Sequence, residues 1–462
     1  MENEKATGNK MGYEPVGKLL LSMGIPMIIS MAIQALYNIV DSYFVSCMKD
    51  TDTIKNMSDY AMNAMTLAFP VQMLMVAIGV GTGVGINALL SRSLGEGNRK
   101  KASYIAGNSI FLGVCTFIVF LLFGIFGIDA YVKSQTNDPV IIDMTKSYLQ
   151  ICTNFSLGIV MYVTYEKLLQ ATGKTMLTTI AQIAGAVVNI ILDPIMIFGY
   201  FGFKEMGIEG AAYATVIGQF VSFILDAVFH YAFNKSDMDT GFKYMKPDIH
   251  IIGEIYKIGI PAVIMQALMS FMTYGVNIIF GMVSATAVTA YGIYYKIQQF
   301  VFFAAFGMNN AMIPIIAFNY GMGDRKRVKQ GIVYGTGYIL VMMAICLVVM
   351  QIFASRISGI FAVSDETMAL CVMALRIITL GYMFAGVNIS LQGVFQSLDY
   401  GVHSLILSVV RLLVPALPLA WLFTGSADAE KLIWWAFPVS ELCGTVTALV
   451  FMKSIYKKVS KS

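Results

Sequence analysis

The sequence predicts an all-α integral membrane protein with twelve transmembrane helices in two pseudo-symmetric six-helix bundles. Three observations lead to this class. Of 462 residues, 57% are hydrophobic and only 13% are charged, whereas soluble domains carry about 25% charged residues. Apolar runs of about 20 residues, enough to cross a bilayer, recur along the chain, and the second half repeats motifs of the first. Together with a mean hydropathy of +0.72, these observations exclude a soluble globular or a disordered protein.

The apolar runs and the polar breaks between them define the elements in order. Spans are predicted at residues 16–47, 60–90, 103–131, 144–168, 174–200, 208–233, 250–282, 288–319, 328–354, 367–397, 402–424 and 430–455. The longest polar connection, residues 234–249, falls at the midpoint and is expected to be a solvated linker on the cytoplasmic side. It separates an N-terminal lobe, 1–233, from a C-terminal lobe, 250–462.

Charge placement predicts the orientation. Most Lys and Arg residues lie in the N-terminal tail, in alternate loops and in the C-terminal tail, so both termini are expected to be cytoplasmic. The first fifteen residues are polar and carry both signs, so the first helix and not a cleavable signal peptide is expected to direct insertion. A net charge of only +4 gives no indication of a nucleic-acid partner. The six cysteines form no CxxC motif and no Cys/His cluster, so no metal site is expected from them.

An internal repeat relates the two halves. Gly24–Pro26 recurs as Gly259–Pro261, and Gly95–Lys100 recurs as Gly321–Lys326, an offset of 226 residues. The same offset pairs Gly81 with Gly307 and Gln170 with Gln396. Because each half has an even number of spans, the repeat is parallel, an arrangement in which two lobes expose a central cleft alternately to each side of the membrane.

Two compositional features within the spans each allow two interpretations. The glycine-rich run Ile78–Gly85 lies within an apolar span and is no dinucleotide loop, so it serves close helix packing or acts as a hinge. The 32 methionines, 30 phenylalanines and 24 tyrosines suit a cavity for apolar cations of varied shape, or they pack and face lipid. Met265, Met269 and Met272 are examples in the first helix of the second half.

Ionisable side chains within spans are the main functional candidates, because each is costly in hydrocarbon. Asp41 follows Gln34, Tyr37 and Asn38 at intervals of one helical turn or less, so the four form a polar stripe. Such a stripe is expected to face a wet cavity or another polar helix. Asp193 is the second acid.

Two prolines are expected to bend the helices that carry these acids. Asn189 precedes Asp193 by one turn, and Pro194 follows it and frees the carbonyl of Ile190. Pro26 has the same effect in the first helix. Carboxylates beside amide and hydroxyl oxygens form a plausible proton or sodium site, and the alternative is a buried hydrogen bond or an ion pair with a Lys or Arg of the second half.

The remaining ionisable groups are assigned structural roles. Arg411 and Glu441 are expected to form an ion pair, and Lys296 and Arg376 to extend to the headgroups. Asp226 and Glu166 lie near predicted span ends, and Asp226 is expected to be interfacial. The three histidines, His230, His250 and His403, lie near cytoplasmic edges and are not expected to bind ions.

Several stretches match one known family in order and spacing. They are Gly24–Asp41, Gly81–Gly85 with Ser91–Gly95, Leu169–Gly173, Asn189–Gly199, Gly210–Thr215 and Lys257–Pro261. Over essentially its whole length the chain thus resembles the multidrug and toxic compound extrusion (MATE) transporters, most closely their MepA-like and DinF-like bacterial branch.

The resemblance implies the MATE fold, a V-shaped pair of six-helix bundles, and export of amphipathic, often cationic compounds in exchange for H⁺ or Na⁺. It assigns ion coupling to Asp41, Asn189, Asp193 and Thr215, and the first three are candidate ligands of Na⁺. It places Gln34 and Tyr37 in the substrate cavity, where Asn38 shares their stripe, and a bending proline at Pro26. A monomer in a bacterial plasma or inner membrane is expected, with no cofactor besides the coupling ion.

One departure and three rival functions complete the analysis. Val276 occupies the position of the second half that aligns with Asp41, so no C-lobe sodium site is expected. A flippase for lipid-linked oligosaccharides would line its cleft with several basic residues, and only Lys296, Arg376 and Arg411 are present. The spans contain no HExxH or GxSxG motif, which disfavours an enzyme, and no repeated filter loop, which disfavours a channel.

Overall fold

The computed structural model describes residues 8–50, 56–360 and 364–459, with side chains up to Ile455. Throughout these ranges the regular elements are helices, so the predicted all-α class is confirmed. The first half contains α1 (Lys10–Tyr13), α2 (Val16–Ser46), α3 (Met57–Gly95), α4 (Arg99–Phe126), α5 (Ile128–Gln135), α6 (Pro139–Asn154), α7 (Leu157–Ala171), α8 (Thr175–Phe198) and α9 (Ile208–Phe233). The second half contains α10 (Ile249–Gly281), α11 (Ala285–Gly321), α12 (Arg325–Ser358), α13 (Asp365–Ile378), α14 (Tyr382–Ser397), α15 (Gly401–Leu412), α16 (Ala416–Thr424), α17 (Ala429–Leu432) and α18 (Ala436–Val459).

The described residues contain 11 helical segments that are long and apolar enough to cross a membrane. The predicted span 144–168 is not among them, because it consists of two helices that are each too short to cross a membrane alone. These are α6, with 16 residues, and α7, with 15 residues, separated at Phe155 and Ser156. Together they have the length of one span.

Three further spans are interrupted where the sequence predicts continuous helices. The span 402–424 breaks between α15 and α16, where Pro415 lacks the N–H that a continuous helix requires. A 3₁₀ turn, Thr379–Gly381, separates α13 from α14, and another, Ile433–Trp435, separates α17 from α18. The positions of these spans are right, and their continuity is wrong.

The described chain divides into two compact units. The first-half unit comprises Ile29–Leu94 and Asn98–Ile255, and the second-half unit comprises the described residues of Met1–Ile28, Gly95–Gly97 and Tyr256–Ser462. Helix α2 is therefore shared, since its residues up to Ile28 belong to the second-half unit. The division into lobes at 233 and 250 stays a prediction.

Glycines explain how the start of α2 packs on α11 within the second-half unit. A Cβ at Gly307 would lie 2.8 Å from the Cα of Ile28, and a Cβ at Gly24 would lie 2.7 Å from the Sδ of Met308. Neither position has room for a side chain. The two helices therefore approach closely because both glycines face the contact.

The repeat is visible in helix starts as well as in sequence. Asn98 caps α4 by accepting a hydrogen bond from the backbone N–H of Lys101, and Asp324 caps α12 by accepting one from Arg327. The glycines before the two caps, Gly97 and Gly323, adopt φ values of +68° and +78°. The shared motif therefore builds the same turn in both halves.

The linker 234–249 packs against α4. The Arg99 guanidinium lies 2.9 Å from Oδ1 of Asp239, and Tyr244 Oη donates to Oδ2 of Asp239, also at 2.9 Å. These two donors, the Tyr244 hydroxyl first and Arg99 second, lower the pKa of the Asp239 carboxyl. Asn108 Oδ1 accepts from the backbone N–H of Asp248 at 2.8 Å. The linker is thus held along its length by α4.

Candidate ion-coupling and substrate sites

Asp41 lies in the part of α2 that belongs to the first-half unit. Its side chain is 7% exposed, and Oδ1 has no hydrogen-bond partner among the described residues. Helix α2 is joined to α8 where Ser30 Oγ donates to Thr179 Oγ1 at 2.9 Å. Asp41 lies about 16 Å farther along α2 than Ser30. The same distance along α8, measured from Thr179, reaches the residue next to Asn189.

Asn189 connects Asp193 to α9. Its Nδ2 donates to Oδ1 of Asp193 at 3.2 Å and lies 3.5 Å from Oγ1 of Thr215. Asp193 is completely buried, and its Oδ2 and the Oδ1 of Asn189 have no partner in the described structure. A Cβ at Gly218 would lie 2.7 Å from the carbonyl oxygen of Gly185. This glycine contact lets α9 come close enough for Thr215 to reach Asn189.

Tyr37 belongs to the same site. The half-buried phenol is within electrostatic range of both Asp41 and Asp193, and the charge of Asp41 acts on Asp193. The structure therefore brings together five of the residues that the sequence singled out: Tyr37, Asp41, Asn189, Asp193 and Thr215.

This arrangement can bind a proton or a hard cation. Its ligand atoms are carboxylate, amide and hydroxyl oxygens, the donor types that hard cations prefer. No described Lys or Arg of the first-half unit lies within ion-pair distance of Asp41 or Asp193. Two buried carboxyl groups without a basic partner need another positive charge, which a proton or a metal cation can supply.

The rest of the polar stripe is less buried than Asp41. Gln34 is half-buried, and Asn38 is exposed. Asp41 is therefore the one buried member of the stripe. The assignment of Gln34, Tyr37 and Asn38 to a substrate cavity stays a prediction.

The two prolines lie within helices. Helix α2 continues through Pro26, and α8 continues through Pro194. Ring closure at Pro194 removes the N–H that would have bonded to Ile190 one turn earlier. That the helices bend at these prolines stays a prediction.

The ion pair predicted between Arg411 and Glu441 is confirmed. Nε of Arg411 lies 2.7 and 2.8 Å from the two carboxylate oxygens of Glu441, and the side chains are 7% and 14% exposed. Asn388 Nδ2 donates to the same carboxylate at 2.7 Å. The guanidinium lies 5.7 Å from the ring centroid of Phe302.

This ion pair forms part of the wall of a cavity that the sequence did not locate. The cavity lies within the second-half unit and is lined by residues of α10, α11, α13, α14, α15, α16 and α18. Its lining includes Met265, Met269 and Met272, three of the methionines that the sequence associated with a cation cavity, and several Phe, Tyr and Gln side chains. The abundance of Met, Phe and Tyr in the sequence was the signal for such a cavity.

Asp226 is not interfacial as predicted. An interfacial carboxylate would reach water, but Asp226 is completely buried on α9, and neither of its carboxylate oxygens has a hydrogen-bond partner in the described structure. The charges of Glu166 and Lys167 act on it. The prediction assumed that a residue near a span end reaches water. It was wrong because the α7 and α9 helices pack together up to their ends.

A family comparison decides the identity of the fold. A model of the MatE family matches residues 26–195 and 261–422, one match in each half and together more than half of the chain. The chain belongs to the MatE family. The multidrug export protein MepA of Staphylococcus aureus is 24% identical over 438 residues, which cover 94% of this chain and 93% of that protein.

Solved structures agree with this assignment at the level of the fold. A multidrug resistance MATE family transporter of the MOP superfamily, solved in an outward-facing conformation, has a TM-score of 0.90 at 21% identity, with 99% of each chain covered. A MATE structure in complex with MaL6 has a TM-score of 0.89 at 21% identity and covers 100% of this chain and 99% of that one. The MATE fold is therefore confirmed.

The family assignment also narrows the functional alternatives. The chain is a multi-pass membrane protein of a multidrug efflux family, and the relative MepA is a multidrug export protein. The flippase alternative is not favoured by these matches. The cytoplasmic location of the termini, the monomeric state and the lack of a nucleic-acid partner stay predictions.

Proposed function

We propose that this MatE-family protein is a secondary active antiporter that exports amphipathic, often cationic compounds in exchange for H⁺ or Na⁺. The observation that supports it most directly is the pair of buried carboxyl groups, Asp41 and Asp193, which form no ion pair with a described Lys or Arg of their own unit. Such groups in a membrane transporter are candidate carriers of the coupling ion.

In the proposed cycle the coupling ion and the cationic compound compete for the negative charge of the two carboxylates. H⁺ or Na⁺ enters from outside and neutralises Asp41 and Asp193, which weakens their attraction for a bound cationic compound. The compound then leaves outward, and release of the ion to the cytoplasm restores the carboxylates for the next compound. The cycle requires only that ion and compound prefer different states or compete for one site.

The substrate is proposed to contact the polar stripe and apolar surfaces. Gln34, Tyr37 and Asn38 precede Asp41 on α2 and offer amide and phenol groups beside the coupling site. The cavity of the second-half unit adds thioethers and aromatic rings, which adapt to varied apolar cations. Bending at Pro26 and Pro194 is proposed to accompany the exchange between states.

Transport in liposomes tests the proposal and identifies the ion. The purified full chain is reconstituted, and efflux of ethidium is followed under a pH gradient alone and then under a sodium gradient alone. We expect one of the two gradients to drive efflux, and the double variant Asp41→Asn, Asp193→Asn to abolish it. Asp59→Asn, an exposed acid in the first turn of α3, is the matched control and is expected to transport normally. Efflux by the double variant at the wild-type rate would refute the coupling role.

A further inference from the structure

A third buried carboxyl group lies in the first-half unit, apart from Asp41 and Asp193. Asp226 on α9 is 0% exposed, and both of its oxygens lack a hydrogen-bond partner in the described structure. A carboxylate buried without hydrogen bonds is among the costliest groups in a protein, and a proton removes most of that cost. The proposed cycle makes no use of this group.

The nearest charges are on α7 and are already paired with each other. Lys167 Nζ lies 3.5 Å from Oε2 of Glu166 and donates to Oε1 of Gln170 at 2.9 Å. Gln170 Nε2 in turn donates to Oε1 of Glu166 at 2.8 Å. Lys167 and Glu166 both act electrostatically on Asp226, but neither bonds to it. Asp226 therefore faces a closed network that leaves it without a permanent counter-charge.

The other helices packed on α9 place few ionisable side chains near Asp226. Helix α8 carries no ionisable residue besides Asp193. Helix α6 packs against the Ile208–Val216 end of α9, where its Tyr148 and Cys152 lie, more than two turns from Asp226. Thus α7, with Tyr162, Glu166 and Lys167, supplies the groups that face it.

Tyr162 connects Asp226 to the coupling site. About 16 Å of helix separates Thr215 from Asp226 on α9, which is too far for one proton transfer. Tyr162 is within electrostatic range of Asp226, of Glu166 and of Tyr37. Tyr37 in turn interacts with Asp41 and Asp193. Each tyrosine hydroxyl can both donate and accept a proton.

The same face of α9 continues to the end of the helix. His230 and Asn234 follow Asp226 at intervals of four residues and are buried. Asn234 Nδ2 donates to Nδ1 of His230 at 3.0 Å, while Asn234 Oδ1 accepts from Lys174 Nζ at 2.7 Å. An amide nitrogen cannot accept, so the bond occupies Nδ1 of His230 and leaves Nε2 to hold a proton. Polar groups thus extend from Asp226 to the helix end, where Lys174 and Asp237 form an ion pair at 2.6 Å.

We propose that Asp226, held beside the Glu166–Lys167–Gln170 network, is a second proton-binding site that relays protons between the Asp41–Asp193 site and the Asn234 end of α9. In the inward direction the Asp41–Asp193 carboxyl pair loses a proton and the Asp226 carboxylate gains it, through the tyrosine hydroxyls and bound water. Asp226 then loses the proton to water at the Asn234 end of the helix. This inference rests on the proposed function with H⁺ as the coupling ion. It assigns Asp226 to proton transfer and not to binding of the exported compound.

Infrared spectroscopy tests proton binding independently of transport. Difference spectra of the full chain with isotope-labelled aspartate are recorded between about pH 5 and about pH 9, a range that includes the titration of documented buried carboxyls. We expect a protonated-carboxyl band that is lost in Asp226→Asn and persists in the double variant Asp41→Asn, Asp193→Asn. Identical spectra of wild type and Asp226→Asn would overturn the proposal, even if the antiport cycle holds.

Transport assays distinguish a proton-relay role of Asp226 from a purely structural role. We expect Asp226→Asn to reduce ethidium efflux driven by a pH gradient by roughly 100-fold, as for loss of a positioned proton-transfer group. Exchange of ethidium without a gradient is expected to stay near the wild-type rate, because binding of the compound is intact. Equal loss of both activities would indicate a structural role and refute the relay.

A second variant tests the relay in case Asp226→Asn does not fold. Glu166→Gln keeps the shape of the network that faces Asp226 and is expected to slow gradient-driven efflux while exchange persists. An unchanged rate of gradient-driven efflux in Glu166→Gln would contradict the relay. If the wild type shows sodium-driven but no proton-driven efflux, H⁺ coupling and the relay fail together. The infrared band then separates a proton-binding Asp226 without a transport role from one that binds no proton.

Discussion

At the scale of single residues, the two hydrogen bonds of Asn189 differ in length and in the type of acceptor. The bond to Asp193 is 3.2 Å long and has a carboxyl acceptor, whereas the 3.5 Å contact with Thr215 is at the limit of a hydrogen bond. Hydrogen bonds to charged groups contribute about 1.5–3 kcal/mol, and ordinary ones about 0.5–1.5 kcal/mol. Asn189 is therefore expected to matter more for ion coupling than Thr215.

Substitution of each residue by alanine tests this ranking. Asn189→Ala is expected to reduce ion-driven ethidium efflux about tenfold or more, and Thr215→Ala about threefold or less, from the bond energies above. Initial efflux rates in liposomes at equal protein density give the comparison. Asn137→Ala, an exposed asparagine between α5 and α6, is the control. A larger loss in Thr215→Ala than in Asn189→Ala would show that Thr215 binds the ion directly.

The acids also show where residue-level prediction works and where it fails. Asp41 and Asp193 were identifiable because each lies within an apolar run and has an asparagine about one helical turn before it. Asp226 lies near a span end, and hydropathy cannot distinguish an end that reaches water from one that another helix covers. Only the packing of α7 against α9 shows that Asp226 is buried.

At the scale of helices, the Arg411–Glu441 pair joins α15 to α18. Removing one partner of a buried pair leaves a buried charge and costs about 3–5 kcal/mol, whereas replacing both by apolar residues is often nearly neutral. We expect Arg411→Met to lower the thermal midpoint of the detergent-solubilised protein strongly, and the double variant Arg411→Met, Glu441→Leu to recover most of the loss. The midpoint is measured by size-exclusion chromatography after heating.

An exposed pair provides the matched control for that experiment. Lys431 and Asp428 lie 3.1 Å apart, and their side chains are 66% and 64% exposed. Exposed pairs contribute about 0–1 kcal/mol, so Lys431→Met is expected to leave the midpoint almost unchanged. If Arg411→Met and the double variant lose the same stability, the buried charge of Glu441 is not the cause.

The contact between α2 and α11 gives a second prediction at this scale. Gly307→Ala places a methyl group against the backbone of Ile28, 2.8 Å from its Cα, and overpacking of this kind costs about 1–3 kcal/mol. At Gly24 the obstacle is the flexible side chain of Met308, so Gly24→Ala is expected to cost less. Thermal midpoints give the order.

A helical glycine with free space is the control for these substitutions. Gly337 on α12 has no atom within 4 Å of an added Cβ, and alanine is favoured over glycine within a helix by about 0.5–1 kcal/mol. Gly337→Ala is therefore expected to raise the midpoint slightly. A fall comparable to that of Gly307→Ala would mean that loss of a glycine itself, and not the contact with Ile28, destabilises the protein.

At the scale of the whole molecule, composition and repeat were sufficient to predict the fold. Hydropathy located eleven spans that the described structure shows as long apolar helical segments, because hydrocarbon requires about 20 apolar residues for each crossing. It could not show that Phe155 and Ser156 divide the fourth span, since both residues are compatible with an apolar run. Nor could it locate the cavity of the second-half unit, whose lining residues come from seven helices spread over the second half of the sequence.

The divided fourth span makes the topology a testable property of the whole chain. If α6 and α7 together cross the membrane, the loop at Asn137 and the loop at Lys204 lie on the same side. If they do not cross, α8 begins on the side of Asn137 and the two loops lie on opposite sides. Both residues are exposed, so each can be replaced by cysteine and labelled.

We expect Asn137→Cys and Lys204→Cys to react with a membrane-impermeant maleimide in intact cells. Lys100→Cys, in the motif shared by the two halves, is expected to react only after the cells are opened, because the basic loops are predicted to be cytoplasmic. The six native cysteines form no disulfide, so they can be replaced beforehand without removing a cross-link. Labelling of Asn137→Cys but not of Lys204→Cys in intact cells would leave only 11 crossings. The two halves would then run in opposite directions, and the parallel repeat would be refuted.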